Sequence, residues 1–91
     1  MNSVGVETVA KNMEWNLYPN PATTVITINI SSENEPGNIK IYSTSGQLVY
    51  EQRIGQEQSE VSIDVSNFSA GMYTVMLQSG ERVSTKKLIV K

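Results

Sequence analysis

Few side chains in this chain could do chemistry. Of its 91 residues none is His and none is Cys, which removes the imidazole base, the thiolate nucleophile, the disulfide and the ordinary Zn, Cu or iron–sulfur site together. Carboxylates, lysines, hydroxyls and tyrosines remain. Asp64 is the only Asp, and the Glu residues are scattered through polar stretches. A glycosidase needs two carboxylates about 5–9.5 Å apart across a cleft. Glu51 and Asp64 are the pair that strand pairing could bring near, but alternation sets both toward solvent. No catalytic residue is assigned, and the chain reads as a non-enzyme. Calcium calls for a D-x-D-x-D type of loop. Glu33-Asn34-Glu35 is the nearest approach and lacks that register, so no metal site and no cofactor is expected. Lys86 and Lys87, adjacent in an extended run, point to opposite faces and read as charges that block edge-to-edge aggregation. The sequons Asn29-Ile30-Ser31 and Asn67-Phe68-Ser69 match the glycosylation pattern, but such tripeptides arise easily by chance in a chain rich in Asn, Ser and Thr. Trp15, Tyr18, Tyr42, Tyr50 and Tyr73 could form a sugar-binding platform. Each lies in or beside an alternating run, which favours core or rim packing with a wetted hydroxyl.

Charge adds no partner class. Seven basic against nine acidic residues leave a net charge of -2, with no electrostatic footprint for nucleic acid or an anionic membrane. No apolar run approaches the roughly 20 residues of a membrane helix, so no stable membrane insertion is expected. Met1 to Ala10 lacks the charged-then-apolar order of a signal peptide. The length suits one domain with a small core.

The elements that must position these residues are short strands. Residues 1–14 carry isolated valines with no sustained period and read as a linker, with Val4-Gly5-Val6-Glu7-Thr8-Val9 able to pair as a short strand. From Trp15 onward, apolar and polar residues alternate in runs separated by turn residues. Trp15 to Tyr18 leads into Pro19-Asn20-Pro21, where each proline fixes φ and biases its predecessor toward extended backbone. Ile26, Ile28 and Ile30 share one strand face. Pro36-Gly37 suits the centre of a type II turn, with a new strand from Asn38. Ile39 and Ile41, the reversal Ser43-Thr44-Ser45-Gly46 and the return Leu48 to Ile54 predict a β-hairpin with Gly46 left-handed. Val61, Ile63 and Val65 form the next strand, and Phe68 pins the connection that follows. Gly71 opens a strand with Tyr73, Val75 and Leu77 on one face, and is expected to take a positive φ or a close backbone approach. After the reversal at Ser79-Gly80-Glu81, Arg82 to Lys91 forms the last strand. About seven strands without a helix or a βαβ crossover predict an all-β, immunoglobulin-like antiparallel β-sandwich, with a small barrel as the structural alternative.

Four motifs stand in order: Leu17-Tyr18-Pro19-Asn20-Pro21-Ala22, Ile39 to Val49 with Gly46, Asp64 to Val75 with Gly71 and Tyr73, and Lys86-Lys87-Leu88-Ile89-Val90-Lys91 at the end. Together, over Trp15 to Lys91, they resemble the type A C-terminal sorting domain of the type IX (Por) secretion system of Bacteroidetes-type bacteria. The resemblance implies a targeting module at residues 15–91, joined through residues 1–14 to a preceding cargo domain. It implies a cargo that crosses the periplasm, is taken over the outer membrane by the type IX translocon, and is then cleaved by a sortase-like peptidase that anchors it at the cell surface. It further marks Tyr18, Pro19, Asn20, Pro21, Gly46, Gly71, Tyr73, Lys86, Lys87, Leu88, Val90 and Lys91 as recognition or motif residues. Recognition is expected through main-chain pairing on an exposed terminal strand. The same open edge could support self-association, and an adhesive or glycan-binding module of this architecture is the competing function.

Overall fold

A computed structural model describes residues 14–30, 36–55 and 58–91 of the chain. The expectations for the linker before Glu14 and for Glu33-Asn34-Glu35 lie outside the described residues. Among the described residues seven strands form: β1 Trp15–Tyr18, β2 Val25–Ile30, β3 Gly37–Ser43, β4 Leu48–Ile54, β5 Glu60–Asp64, β6 Gly71–Ser79 and β7 Arg82–Val90. They make two antiparallel sheets, one of three strands in the order β1-β2-β5 and one of four in the order β4-β3-β6-β7. This is the all-β sandwich that the alternation predicts.

The period of two decides which residues go inside. Ile26, Ile28 and Ile30 of β2 and Val61 and Ile63 of β5 supply the three-stranded face. Ile39, Ile41, Tyr73, Val75, Leu77, Leu88 and Val90 supply the four-stranded one, and all of them belong to a single buried cluster. Ile26, Ile28, Ile39, Ile41, Val75, Leu77 and Leu88 are fully buried, each contributing about 1.5–3 kcal/mol of burial free energy. Phe68 packs against this core, its ring centroid 5.2 Å from that of Tyr73. Tyr73 in turn donates its hydroxyl to the Ser69 carbonyl at 2.6 Å, so the predicted aromatic pin is in place.

The β3–β4 hairpin closes as expected. Gly46 takes φ 88° and donates its N–H to the Ser43 carbonyl at 2.9 Å, and the ladder shifts register after Ile41 where β4 bulges. Gly37 differs from its sequence reading. It is not the left-handed residue of a type II turn but the first residue of β3, paired with Ile54 on one side and Ser79 on the other. A Cβ there would collide with the Gln78 carbonyl oxygen, so glycine is required for backbone approach and not for φ. The segment after β1 bends at residues 19–21 instead of running extended as predicted for it. Tyr18-Pro19 and Asn20-Pro21 are both cis peptides, and the chain there leaves β1 and crosses to the outer edge of β7.

Candidate functional site

The C-terminal strand is held from both sides, and the two sides read different parts of it. Toward the interior, β7 pairs with β6 over its whole length without a register shift, from Ser79↔Arg82 to Gly71↔Val90. Leu88 and Val90 point inward and are buried, while Lys86, Lys87 and Lys91 are exposed. The apolar half of the terminal motif is therefore core, and the cationic half is surface.

Toward the exterior, the Tyr18-Pro19-Asn20-Pro21-Ala22 segment clips the last five residues. Asn20 Nδ2 donates to the Lys87 carbonyl at 2.9 Å and Asn20 Oδ1 accepts the Ile89 N–H at 2.9 Å. One side-chain amide thus replaces the donor and acceptor of a neighbouring strand. Ala22 continues the mimicry with its backbone: its N–H donates to the Ile89 carbonyl and its carbonyl accepts the Lys91 N–H, both at 2.8 Å. The Ala22↔Val90 bridge is parallel, and Ala22 is itself buried. Its role is invisible in the sequence, since a small residue after proline carries no signal of a long-range bridge. Tyr18, Pro19 and Pro21 are exposed around the clip.

Lower on β7 the contact is made by β1. Trp15 is buried, its Nε1 donates to Ser84 Oγ at 3.0 Å, and Lys86 Nζ lies 5.3 Å from the Trp15 ring, within cation–π range. Neither the Trp15–Ser84 contact nor the Asn20 clip could be read from local patterning, because the partners lie 69 residues apart.

Of the motif residues, the structure brings together Asn20, Gly71, Tyr73, Lys87, Leu88, Val90 and Lys91 at one end of the four-stranded sheet. Gly71 sits opposite Val90 and Tyr73 opposite Leu88. Gly71 has φ 154° with open space where a Cβ would go, so positive φ and not close approach is its constraint. Gly46 lies in the turn after Ser43, which pairs with Tyr73. It shares that end of the sheet but stands two strands away from β7. Lys86 points to the Trp15 side of the strand and Lys87 to the opposite side, as alternation requires.

The remaining candidates disperse. Glu51 and Asp64 occupy different sheets and are both exposed, so they do not face one another. Asp64 accepts from Ser66 Oγ at 2.6 Å and from the Ser66 N–H at 2.9 Å. The hydroxyl bond chiefly, and the backbone bond after it, hold its carboxyl below its ordinary pKa. This pair shapes the turn after β5, where Phe68 N–H reaches the Val65 carbonyl. The aromatic residues share no common platform: Trp15 and Tyr73 are buried, Tyr18 is exposed beside the clip, and Tyr50 is half-buried with its hydroxyl on Gln52 Oε1.

No curated protein matches the chain. A family model described as a secretion system C-terminal sorting domain matches residues 16–91, a span that takes in both the Asn20 clip and the strand it holds. The chain therefore belongs to the type IX secretion C-terminal sorting domains, signals that direct a protein to the export machinery and so to the cell surface or the extracellular space.

Proposed function

We propose that this domain acts as a folded handle: its cargo reaches the periplasm, the type IX translocon engages the domain there, and a sortase-like peptidase then cuts it away and anchors the cargo at the surface. On this reading the domain has no catalytic activity of its own and needs no cofactor. The supporting observation is the division of labour in β7. Leu88 and Val90 are buried while Lys86, Lys87 and Lys91 remain exposed, so the terminal motif can be both part of the fold and presented to a partner. The clip favours a folded handle, since Asn20 and Ala22 fasten the last residues to the body of the domain.

The test appends the domain to a periplasmic reporter in a type IX-competent bacterium. The reporter is expected at the cell surface with the domain removed, and in the periplasm with the domain intact when the translocon is deleted. A reporter that stays periplasmic in the competent strain would sink the proposal. Surface reporter that still carries the domain would sink the cleavage step alone.

A further inference from the structure

The clip divides the outer edge of β7 into an occupied half and an open half. Ile89 directs both its N–H and its carbonyl away from β6, to Asn20 and Ala22, and the Lys87 carbonyl and the Lys91 N–H point the same way. In an antiparallel ladder alternate residues turn their backbone groups to opposite sides. The unbroken register with β6 therefore sends the N–H and carbonyl groups of Val83 and Thr85, and the N–H of Lys87, outward as well. No described residue pairs with them. Unlike β4, which carries a bulge, this stretch has no irregularity to deter another strand. Val83 is 56% exposed and is the most exposed of the large apolar residues described.

The charge along this half-edge is cationic, with exposed Glu81 in the turn before it the nearest acidic residue along the chain. Lys86 and Lys87 flank it, β7 contains no Asp or Glu, and β6, its ladder neighbour, contains no charged residue at all. Neither lysine has an ion pair among the described residues. A second copy of the domain would bring the same lysines against these, which disfavours symmetric edge-to-edge pairing.

We infer that the open edge from Val83 to Lys87 takes an extended, acidic segment of the export machinery as an added strand, with Asn20 as the stop that sets how far it can run. Main-chain hydrogen bonds to Val83, Thr85 and Lys87 would supply the pairing, and Lys86 or Lys87, one on each face of the sheet, would select glutamate or aspartate on the face of the incoming strand that meets it. The inference rests on the sorting reading for the source of that segment. It also narrows the edge available for recognition, because the clip already occupies the terminal Lys87 to Lys91 part.

The probe is a short capped peptide in which valine and glutamate alternate, compared with one in which valine and lysine alternate, added to the 91-residue domain. The acidic peptide is expected to bind and the basic one not, with amide exchange at Val83, Thr85 and Lys87 slowed on binding. Thr85→Pro removes an outward N–H while leaving the bonds to β6, a position where edge strands accept proline. At unchanged melting temperature it should abolish binding. Lys86→Gln with Lys87→Gln, which leaves the backbone untouched, should weaken binding roughly 2- to 30-fold. Protection of Leu48–Ile54 instead of Val83–Lys87, equal binding of both peptides, no binding of either, or dimerisation of the domain through this edge would each overturn the inference. In cells, a reporter exported equally well with and without Thr85→Pro overturns the edge as the recognised surface and leaves the sorting function standing. Failure of the unaltered domain to export anything strikes the sorting reading itself.

Discussion

The side chain of Asn20 acts as a strand for Ile89. Its amide oxygen takes the Ile89 N–H at 2.9 Å while its amide nitrogen serves the Lys87 carbonyl at the same distance. A family motif near the beginning of the domain thereby fastens the motif at its end, and the edge that a partner could extend is shortened to the residues before Lys87.

Asn20→Asp keeps the acceptor for Ile89 and loses the donor to Lys87, whereas Asn20→Ala loses both. With net hydrogen-bond contributions of about 0.5–1.5 kcal/mol each, Asn20→Ala should destabilise the domain by roughly 1–3 kcal/mol, and Asn20→Asp, which sets a carboxylate oxygen against the Lys87 carbonyl oxygen, should destabilise it as well. Urea unfolding measures the totals. Amide exchange supplies the specific sign, since the Ile89 amide should lose protection in Asn20→Ala and keep it in Asn20→Asp.

Gly37 and Gly71 should respond to substitution for different reasons. Gly37→Ala drives a Cβ into the Gln78 carbonyl oxygen, which only backbone movement between β3 and β6 can relieve. A loss of more than about 3 kcal/mol is expected. Gly71→Val meets no atom within 4 Å but must hold φ 154°, a region costing on the order of 1–3 kcal/mol for other residues. Thermal unfolding that ranks Gly71→Val as the more damaging change would contradict this account.

Acid should weaken the turn after β5. The Asp64 carboxyl is held below its ordinary value of 3.8, first by Ser66 Oγ and then by the Ser66 N–H. A carboxyl whose folded pKa is depressed contributes its stability above the unfolded pKa and loses it as pH falls through the folded one. The contribution is complete above about pH 4–5 and declines below it. Ser66→Ala, which removes the larger cause, should flatten the acid limb of the stability–pH curve relative to the parent. An unchanged limb would show that the bond carries no linkage.

The terminal residues combine two roles that substitutions can separate. Deleting Lys87 to Lys91 removes the buried Leu88 and Val90 along with the partners of Asn20 and Ala22, so export should fail together with folding. Lys87→Gln with Lys91→Gln leaves backbone and core intact, and exposed charges contribute little to stability. The folded double variant should show reduced export, read as reporter retained in the periplasm. Full export of that variant would place recognition in the backbone and not in the charge.

Sequence alone determined the strands and their inward faces, because a period of two in Ile26-Thr27-Ile28, Ile39-Lys40-Ile41 and Tyr73-Thr74-Val75 leaves only one way to bury the apolar set. The hairpin at Gly46 was equally legible, since its turn chemistry is local and its φ of 88° favours glycine over residues with a Cβ. The four ordered motifs carried the family. Tertiary structure decided what depends on residues distant in the chain: that Asn20 pairs with the backbone of β7, that Trp15 reaches Ser84, and that Gly37 is needed because β6 passes against it. Alternation states which face of a strand is buried but not which edge is covered. The backbone groups of Arg82 to Lys91 look equivalent in sequence, and only the placement of Asn20 and Ala22 divides them into a closed half and an open one.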